Sequence, residues 1–313
     1  MPGGAVDGFR YNTLVILGPT AAGKTGLGVH LARLFGGELL SADSRQVYRG
    51  LDIGSGKDLA EYGDTPHHLI DVADLSEEYS VYSYQRDFYR AFAGVRSRGL
   101  LPVIVGGTGM YLDAVIRGYD FVEVPVNPAL REELAGYTLG ELASRLLTLK
   151  AEIHNRTDLV ERPRLVRAIE IAEFERSGRK QAVRGERPDI RPYVLGVRFE
   201  RSVLRARIRA RLEARVAEGL VGEVRSLHEA GADWERLERL GLEYRFAARF
   251  LQGKIATDKE FVESLYTAIC QFAKRQETWF RGMERRGVRI EWIPDGDREL
   301  AAEFAAAALK EKP

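Results

Sequence analysis

The sequence predicts an α/β fold, with a doubly wound and mainly parallel sheet interrupted by a helical insertion domain. Up to residue 118, short apolar runs alternate with segments of helical periodicity, which is typical of parallel strands joined by helical crossovers. The run at residues 101–105 is almost wholly apolar, as expected for a strand in the middle of such a sheet. Residues 128–177, in contrast, show only helical periodicity, and they predict the insertion.

The segment GPTAAGKT, at residues 18–25, follows the first apolar run and precedes a helical pattern. In this strand–loop–helix context the pattern G-x-x-x-x-G-K-[S/T] is a phosphate-binding loop, which makes the predicted sheet P-loop NTPase-like. Glycines let the backbone wrap an anion, and the first N–H groups of the helix face phosphate oxygens. Lys24 would contact the terminal phosphate, and the Thr25 hydroxyl would bind Mg²⁺. The expected diphosphate- or nucleotide-binding residues are Gly18, Pro19, Thr20, Ala21, Ala22, Gly23, Lys24 and Thr25.

Further strands are predicted at residues 38–41, 68–72 and 101–105, and the first and third are followed by polar residues. Because ligands bind beyond the carboxyl ends of parallel strands, Asp43 and Thr108 should lie on the same edge as the phosphate-binding loop. The glycine-rich segment 50–58 either approaches a ligand or is a flexible connection. Adjacent His67 and His68 would face opposite sides of a strand, which argues against a shared metal ion.

Turn signals at residues 124–128 mark a change of composition, and a strand-like run returns at residues 193–199. We therefore divide the chain into residues 1–119 (core, first part), 120–191 (helical insertion, with 177–181 as the loop out) and 192–313 (core, second part). The second part has a helix at 202–219, where seven arginines between Arg198 and Arg215 accompany two glutamates. Such a helix suits the phosphate of a small substrate or of a nucleic acid, or else is a solvated face.

Composition excludes several classes. The 47 basic and 46 acidic residues balance, so net charge alone indicates no nucleic-acid partner. The single cysteine, Cys270, excludes an intramolecular disulfide and a multi-cysteine metal site. No run approaches 18 apolar residues, and the first twelve residues lack a signal-peptide core. We expect a cytoplasmic protein with no membrane partner.

Several segments together resemble one family, the tRNA dimethylallyltransferases (tRNA isopentenyltransferases, the IPP transferase family). The resemblance covers residues 12–293 and is carried by GPTAAGKT (18–25), DSRQVY (43–48), GLDIG (50–54), PHHLID (66–71), GGTGMY (106–111), RLVRAIE (164–170), RIxxR (207–211) and AKRQxTWFR (273–281). It implies Mg²⁺-assisted transfer of a dimethylallyl group from its diphosphate to the N6 amine of the adenosine next to the tRNA anticodon, with release of pyrophosphate.

The resemblance also implies roles for residues. Asp43 would be the general base toward the amine, Thr108 would lie near the target nucleotide, and Arg211 would contact the diphosphate. The insertion would bind the anticodon stem-loop, and no protein partner is implied, so we expect a monomer. The tRNA-contacting positions would be Asp43, Ser44, Arg45, Gln46, Arg131, Pro163, Arg164, Leu165, Val166, Arg167, Arg239 and Arg245.

The chain departs from the family pattern at two places. Ser55-Gly56 stands where many members have Thr-Ala, and GLEYR at residues 241–245 stands where many have Gly-Tyr-Arg. We expect these departures to influence which tRNAs are accepted and to leave the diphosphate-binding residues untouched.

Three other functions remain open at this point. An enzyme that prenylates free adenine nucleotide would need no arginine-rich insertion. A P-loop small-molecule kinase would use Asp43 to deprotonate an acceptor hydroxyl. An RNA-binding switch protein would need no carboxylate aimed at an acceptor.

Overall fold

The computed structural model describes residues 10–121, 123–149, 161–178 and 187–311. The chain separates into two compact units, Met1–Tyr119 with Arg187–Pro313 and Asp120–Glu186. Among the described helices, none has both the length and the apolar character needed to cross a bilayer.

The first unit contains a fully parallel sheet, whose six strands in the described residues follow the order β3-β2-β4-β1-β5-β6. Its strands are β1 (Thr13–Leu17), β2 (Gly37–Ala42), β3 (His67–His68), β4 (Leu101–Gly106), β5 (Pro192–Arg198) and β6 (Ile290–Pro294). The strand before the phosphate-binding loop, β1, is central and wholly buried. The predicted fold class is confirmed.

The helices of the first unit are α1 (Lys24–Phe35), α2 (Val81–Ser97), α3 (Gly109–Ile116), α7 (Arg201–Glu218), α8 (Leu220–Glu229), α9 (Trp234–Arg239), α10 (Leu242–Leu251), α11 (Asp258–Arg285) and α12 (Arg298–Ala308). Those of the second unit are α4 (Pro128–Ala135), α5 (Leu139–Leu149) and α6 (Arg162–Arg176). Residues 177 and 178 form a turn, and the remainder of the predicted loop 177–181 lies outside the described residues.

Helices cover both faces of the sheet because successive strand side chains alternate between the faces. Leu14 and Ile16 pack in the core formed with α1 and α12. Val15 and Leu17 pack in the core formed with α2, α3 and α11. A third apolar cluster joins α7, α8, α10 and α11, so the basic helix α7 is anchored by an apolar face made of Leu204, Ile208 and Leu212.

One sequence prediction of local structure is wrong. The strand predicted at residues 68–72 ends at His68, because Leu69 and Asp71 have φ values of 67° and 54°. The chain there turns onto the residues after β2, and the N–H of Val72 donates to the carbonyl of Val47 at 2.8 Å. Residues 240 and 241 join α9, which ends at Arg239, to α10, which begins at Leu242.

Candidate active site

The phosphate-binding loop joins β1 to α1 through left-handed backbone. Ala21 has a φ of 62° and Gly23, the residue before α1, has a φ of 77°. Among the described residues no side chain caps the first turn of α1, so its N–H groups are available to an anion. Gly18 is required by packing, because a Cβ there would lie 2.9 Å from the carbonyl oxygen of Val197 on β5.

Lys24 folds back over this loop, and its amine donates to the carbonyl of Pro19 at 2.7 Å. Burial, followed by the charge of Arg211, lowers the pKa of Lys24 to about 8, although Asp43 acts in the opposite direction. Both Asp43 and Arg211 therefore lie close enough to Lys24 to affect its charge. The next residue, Thr25, hydrogen-bonds through its hydroxyl to the buried phenol of Tyr62.

Gln276 of α11 ties the phosphate-binding loop to the turn after β4. Its Oε1 accepts the N–H of Thr20 at 2.8 Å, and its Nε2 donates to the carbonyl of Gly107 at 2.8 Å. The side chain is buried, and its bond to Gly107 is shielded from bulk water. Gln276 belongs to the AKRQxTWFR segment that carries the family resemblance, and it lies on the apolar face of α11, between Ala273 and Phe280. Its contact with the phosphate-binding loop was not anticipated.

The basic helix α7 runs beside the phosphate-binding loop. Arg207 donates to the carbonyl of Ala21 at 2.8 Å and lies over the ring of Phe199. Arg211, one turn further, donates to Asp58 at 2.8 Å and lies 3.5 Å from the hydroxyl of Thr20. The alternative in which this helix is only a solvated face does not describe these two arginines.

Asp43 and Thr108 lie at the carboxyl ends of adjacent strands, β2 and β4. Oδ1 of Asp43 accepts the N–H of Arg45 at 2.8 Å, as in an Asx turn. In the described part of the chain its Oδ2 has no hydrogen-bond partner. Thr108 accepts the N–H of Ser44 at 3.0 Å, which joins the two strand ends. Gln46 turns inward, accepting from Ser41 and donating to the carbonyl of Gly56, both at 2.9 Å.

The glycine-rich segment 50–58 is held by side chains from the second half of the chain. The Glu223 carboxylate accepts three successive N–H groups at 2.7–3.1 Å, those of residues 52–54. The Tyr244 hydroxyl donates to Glu223 at 2.7 Å and accepts the N–H of Ser55 at 3.0 Å. Lys57, only 1% exposed, is paired with Asp52 and Asp71. This segment is a fixed wall rather than a flexible connection, and sequence reasoning missed both Glu223 and Tyr244.

A sequence model of the family described as IPP transferase matches residues 46–283, which is most of the chain. This chain belongs to the IPP transferase family. A second model, described as isopentenyl transferase, matches residues 11–71, including the phosphate-binding loop.

Individual relatives agree with this assignment. The chain is 54% identical to tRNA dimethylallyltransferase 2 of Treponema denticola, over 91% of this chain and 96% of the relative. It is 55% identical to tRNA dimethylallyltransferase 1 of Geotalea uraniireducens, over 91% and 94%. Among solved structures, the full-length tRNA isopentenylpyrophosphate transferase of Bacillus halodurans has a TM-score of 0.69 at 31% identity, covering 96% of this chain and 97% of that one.

In the second unit of this IPP transferase, two predicted tRNA-contacting arginines pair with a buried acid. Arg131 makes a two-pronged contact with Glu170, at 2.8 and 3.0 Å, and Arg167 contacts the same carboxylate at 3.0 Å. Burial alone would raise the pKa of Glu170, but hydrogen bonds from Arg131, Asn127 and Arg167 hold the pKa below its usual value. Arg131 and Arg167 therefore organise the unit, whatever else they contact.

The other predicted tRNA-contacting residues differ in exposure. Arg164 has a side chain 51% exposed, with a surface ion pair to Glu161 at 3.1 Å. Leu165 is fully buried in the core of the second unit. In the first unit, Arg239 pairs with Glu235 on the surface, and Arg245 donates to the carbonyl of Glu238 at 2.9 Å.

Proposed function

We propose that this IPP transferase moves a dimethylallyl group from dimethylallyl diphosphate to the N6 amine of the adenosine 3′-adjacent to the anticodon in tRNA, releasing pyrophosphate. The observation that carries the proposal is that one edge of the sheet combines two chemically different groups. A phosphate-binding loop flanked by Lys24 and Arg211 suits a diphosphate leaving group. The Asp43 carboxylate, close enough to affect Lys24, suits an amine acceptor.

The electrophilic half of the reaction depends on stabilising negative charge on the departing diphosphate. An allylic carbon–oxygen bond breaks readily once that charge is neutralised. The N–H groups at the start of α1 lie next to Lys24 and Arg211, and such preorganised donors act where charge develops.

The residues present fit Mg²⁺ as the assisting ion. Among the described residues no cluster of three or more His, Cys, Asp or Glu side chains could hold a metal. Mg²⁺ is commonly bound by one or two protein oxygens together with phosphate oxygens and water, and the Thr25 hydroxyl, fixed by Tyr62, is such an oxygen. When bound, the ion would supply further neutralisation of the leaving pyrophosphate.

Asp43 would accept the proton lost by the adenine amine. Its Oδ1 is held by the N–H of Arg45, which fixes the carboxylate plane and leaves Oδ2 for the amine. A carboxylate in this role contributes about 10²–10⁴-fold. Thr108, at the neighbouring strand end, would border the base, which must leave the stacked anticodon loop to reach this edge.

If tRNA is the substrate, exposed arginines are the residues we expect to contact the RNA. Arg164 is the exposed member of the RLVRAIE segment and has only a surface carboxylate as partner. We assign the anticodon stem-loop to the helical insertion, and to the segments around Asp43 and Arg245 in the first unit. Because the substrate is tRNA, we place the reaction in the cytoplasm. We also propose that the enzyme is a monomer.

The test is mass spectrometry of tRNA nucleosides after incubation with dimethylallyl diphosphate and Mg²⁺, with Asp43→Asn as the matched variant. Asn retains the bond to the Arg45 N–H but loses the charge, so kcat should fall about 10²-fold or more with little change in KM. Transfer within a few fold of the parent would leave Asp43 only a turn-forming residue. Modification of free adenine nucleotide instead of tRNA, or phosphoryl transfer from ATP, would replace the proposed function by one of its rivals.

A further inference from the structure

Arg215 is a buried arginine on α7, one turn after Arg211. Its side chain is only 8% exposed, and in the described part of the chain its Nη2 atom has no hydrogen-bond partner. The nearest carboxylates are Asp58, 3.6 Å from Nη2, and Glu243, 4.0 Å from Nη1. Both distances exceed those of a charged hydrogen bond, about 2.7–2.9 Å.

A buried guanidinium with an unpaired nitrogen is costly, and native proteins rarely keep one without a partner. Burial, followed by the charge of Arg211, lowers the pKa of Arg215. Burial also raises the pKa of Glu243. Arg215 therefore lies beside a second guanidinium group, that of Arg211, and neither neighbouring carboxylate is close enough for a charged hydrogen bond to it.

Both departures from the family pattern meet at this arginine. A Cβ on Gly56 would overlap Nη2 of Arg215 and crowd Nη2 of Arg211, so the position needs glycine while both arginines stay in place. Glu243, the facing acid, belongs to the second departure. The expectation that the departures leave the diphosphate-binding residues untouched is therefore wrong, since Gly56 directly adjoins Arg211.

Arg215 and the phosphate-binding loop border the same pocket. One small pocket is lined by Thr20 and Ala21 of that loop together with Arg211, Arg215 and Glu243. Arg211 lies 3.5 Å from the Thr20 hydroxyl, so the two guanidinium groups and the loop border the same space. Paired guanidinium groups are well suited to diphosphate, because each presents several N–H donors in a fixed plane.

We propose that Arg215 is a second diphosphate-binding arginine, whose Nη2 donates to an oxygen of the prenyl diphosphate beside Arg211. This inference rests on the proposed function, since it takes the phosphate-binding loop to hold a diphosphate. It also gives the two sequence departures a common purpose, which is to make room and counter-charge for this second arginine.

The experiment measures binding of inorganic pyrophosphate with Mg²⁺ to the full chain by calorimetry, alongside binding of tRNA. Arg215→Met removes the charge at similar volume. Arg215→Lys keeps the charge but loses the planar set of N–H donors of the guanidinium group. The matched control is Arg205→Met on the same helix, where the arginine is exposed and contacts Tyr266. Arg215→Met should weaken pyrophosphate binding about ten- to a hundredfold. Arg215→Lys should lie between it and the parent, and tRNA affinity should stay within about twofold in both variants.

A crystal structure of the parent with pyrophosphate and Mg²⁺ decides the matter even if the variants fold poorly. We expect Arg215 Nη2 within hydrogen-bond distance of a phosphate oxygen. Either of two results would overturn the inference. In the first, Nη2 of Arg215 is hydrogen-bonded only to water or to Asp58. In the second, Arg215→Met binds pyrophosphate as tightly as the parent does. Loss of tRNA binding with intact pyrophosphate binding would also overturn it. If pyrophosphate fails to bind the parent itself, the proposed function fails instead, which is a different result.

Discussion

Replacing Gln276 tests whether the phosphate-binding loop is positioned from α11. The carboxamide makes two bonds of 2.8 Å, a part-buried one to the N–H of Thr20 and a buried one to the carbonyl of Gly107. In Gln276→Met both groups lose their partner, but water can reach the N–H of Thr20. A buried unsatisfied acceptor costs about 1–3 kcal/mol, so the loss of the bond to Gly107 should lower the free energy of unfolding by about that amount.

Urea-induced unfolding measures this loss, and Gln271→Met is the control, because Gln271 is an exposed glutamine on the same helix. The control should stay within about 0.5 kcal/mol of the parent. Gln276→Glu separates the two contacts. It keeps an acceptor for Thr20 but loses the donor to Gly107, and it places negative charge beside the diphosphate. We therefore expect the free-energy equivalent of the rise in its diphosphate KM to exceed the fall in its free energy of unfolding.

The reasoning fails if Gln276→Met unfolds like the Gln271→Met control, because the two bonds would then contribute nothing net. It also fails if Gln276→Met is destabilised but retains the parent's kcat and diphosphate KM. In that case Gln276 would hold the fold together without positioning the reacting groups.

Three further predictions follow from the contacts of single residues. Lys24→Ala should weaken diphosphate binding about ten- to a hundredfold. In the parent, diphosphate affinity should fall as pH rises above about 8, because the free protein then loses the proton on Lys24. Diphosphate binding favours the protonated amine, so binding near this pH should take up a proton. Calorimetry should show this uptake in the parent and not in Lys24→Ala. Arg164→Gln should reduce the salt dependence of tRNA affinity by about one phosphate contact and leave stability unchanged. Arg167→Gln should instead destabilise the second unit, because it breaks the contact with Glu170. Salt titrations of tRNA binding and thermal unfolding distinguish the two variants. Glu223→Gln should raise protease cleavage within residues 50–58, since a neutral amide is a weaker acceptor for three N–H groups; an unchanged cleavage pattern would contradict this.

The strands that could be predicted from the sequence are those whose apolar pattern follows directly from burial. β1 and β4 are apolar on both faces because helices cover both, and such runs identify central strands. The strand predicted at 68–72 was wrong because Leu69 has a positive φ, which leucine seldom adopts and which its residue type therefore does not indicate. Asp71 also has a positive φ, and aspartate adopts it more often. Its end is set by contacts with the residues after β2, which are not local.

The candidate site divides in the same way. The phosphate-binding loop is a contiguous motif, so its position could be predicted from spacing alone. Gln276 lies 256 residues after Thr20, and Glu223 lies 169–171 residues after the N–H groups that it accepts. Such pairs join elements whose packing is decided by the whole fold. The sequence shows Gln276 as a polar residue on an apolar helix face and as part of the AKRQxTWFR segment, but neither feature identifies its partners.

The phosphate-binding motif lies near the start of the chain, but the described contacts that hold its surroundings come largely from the second half. Gln276 fixes the loop, Arg207 binds the Ala21 carbonyl, and Glu223 with Tyr244 fixes the glycine-rich wall. All four residues belong to helices that pack in one apolar cluster or border it. Catalytic groups need support to within a fraction of an ångström, so substitutions in this cluster should change catalysis before they abolish folding. The helices after the insertion therefore help to build the candidate active site, although the phosphate-binding motif contains none of them.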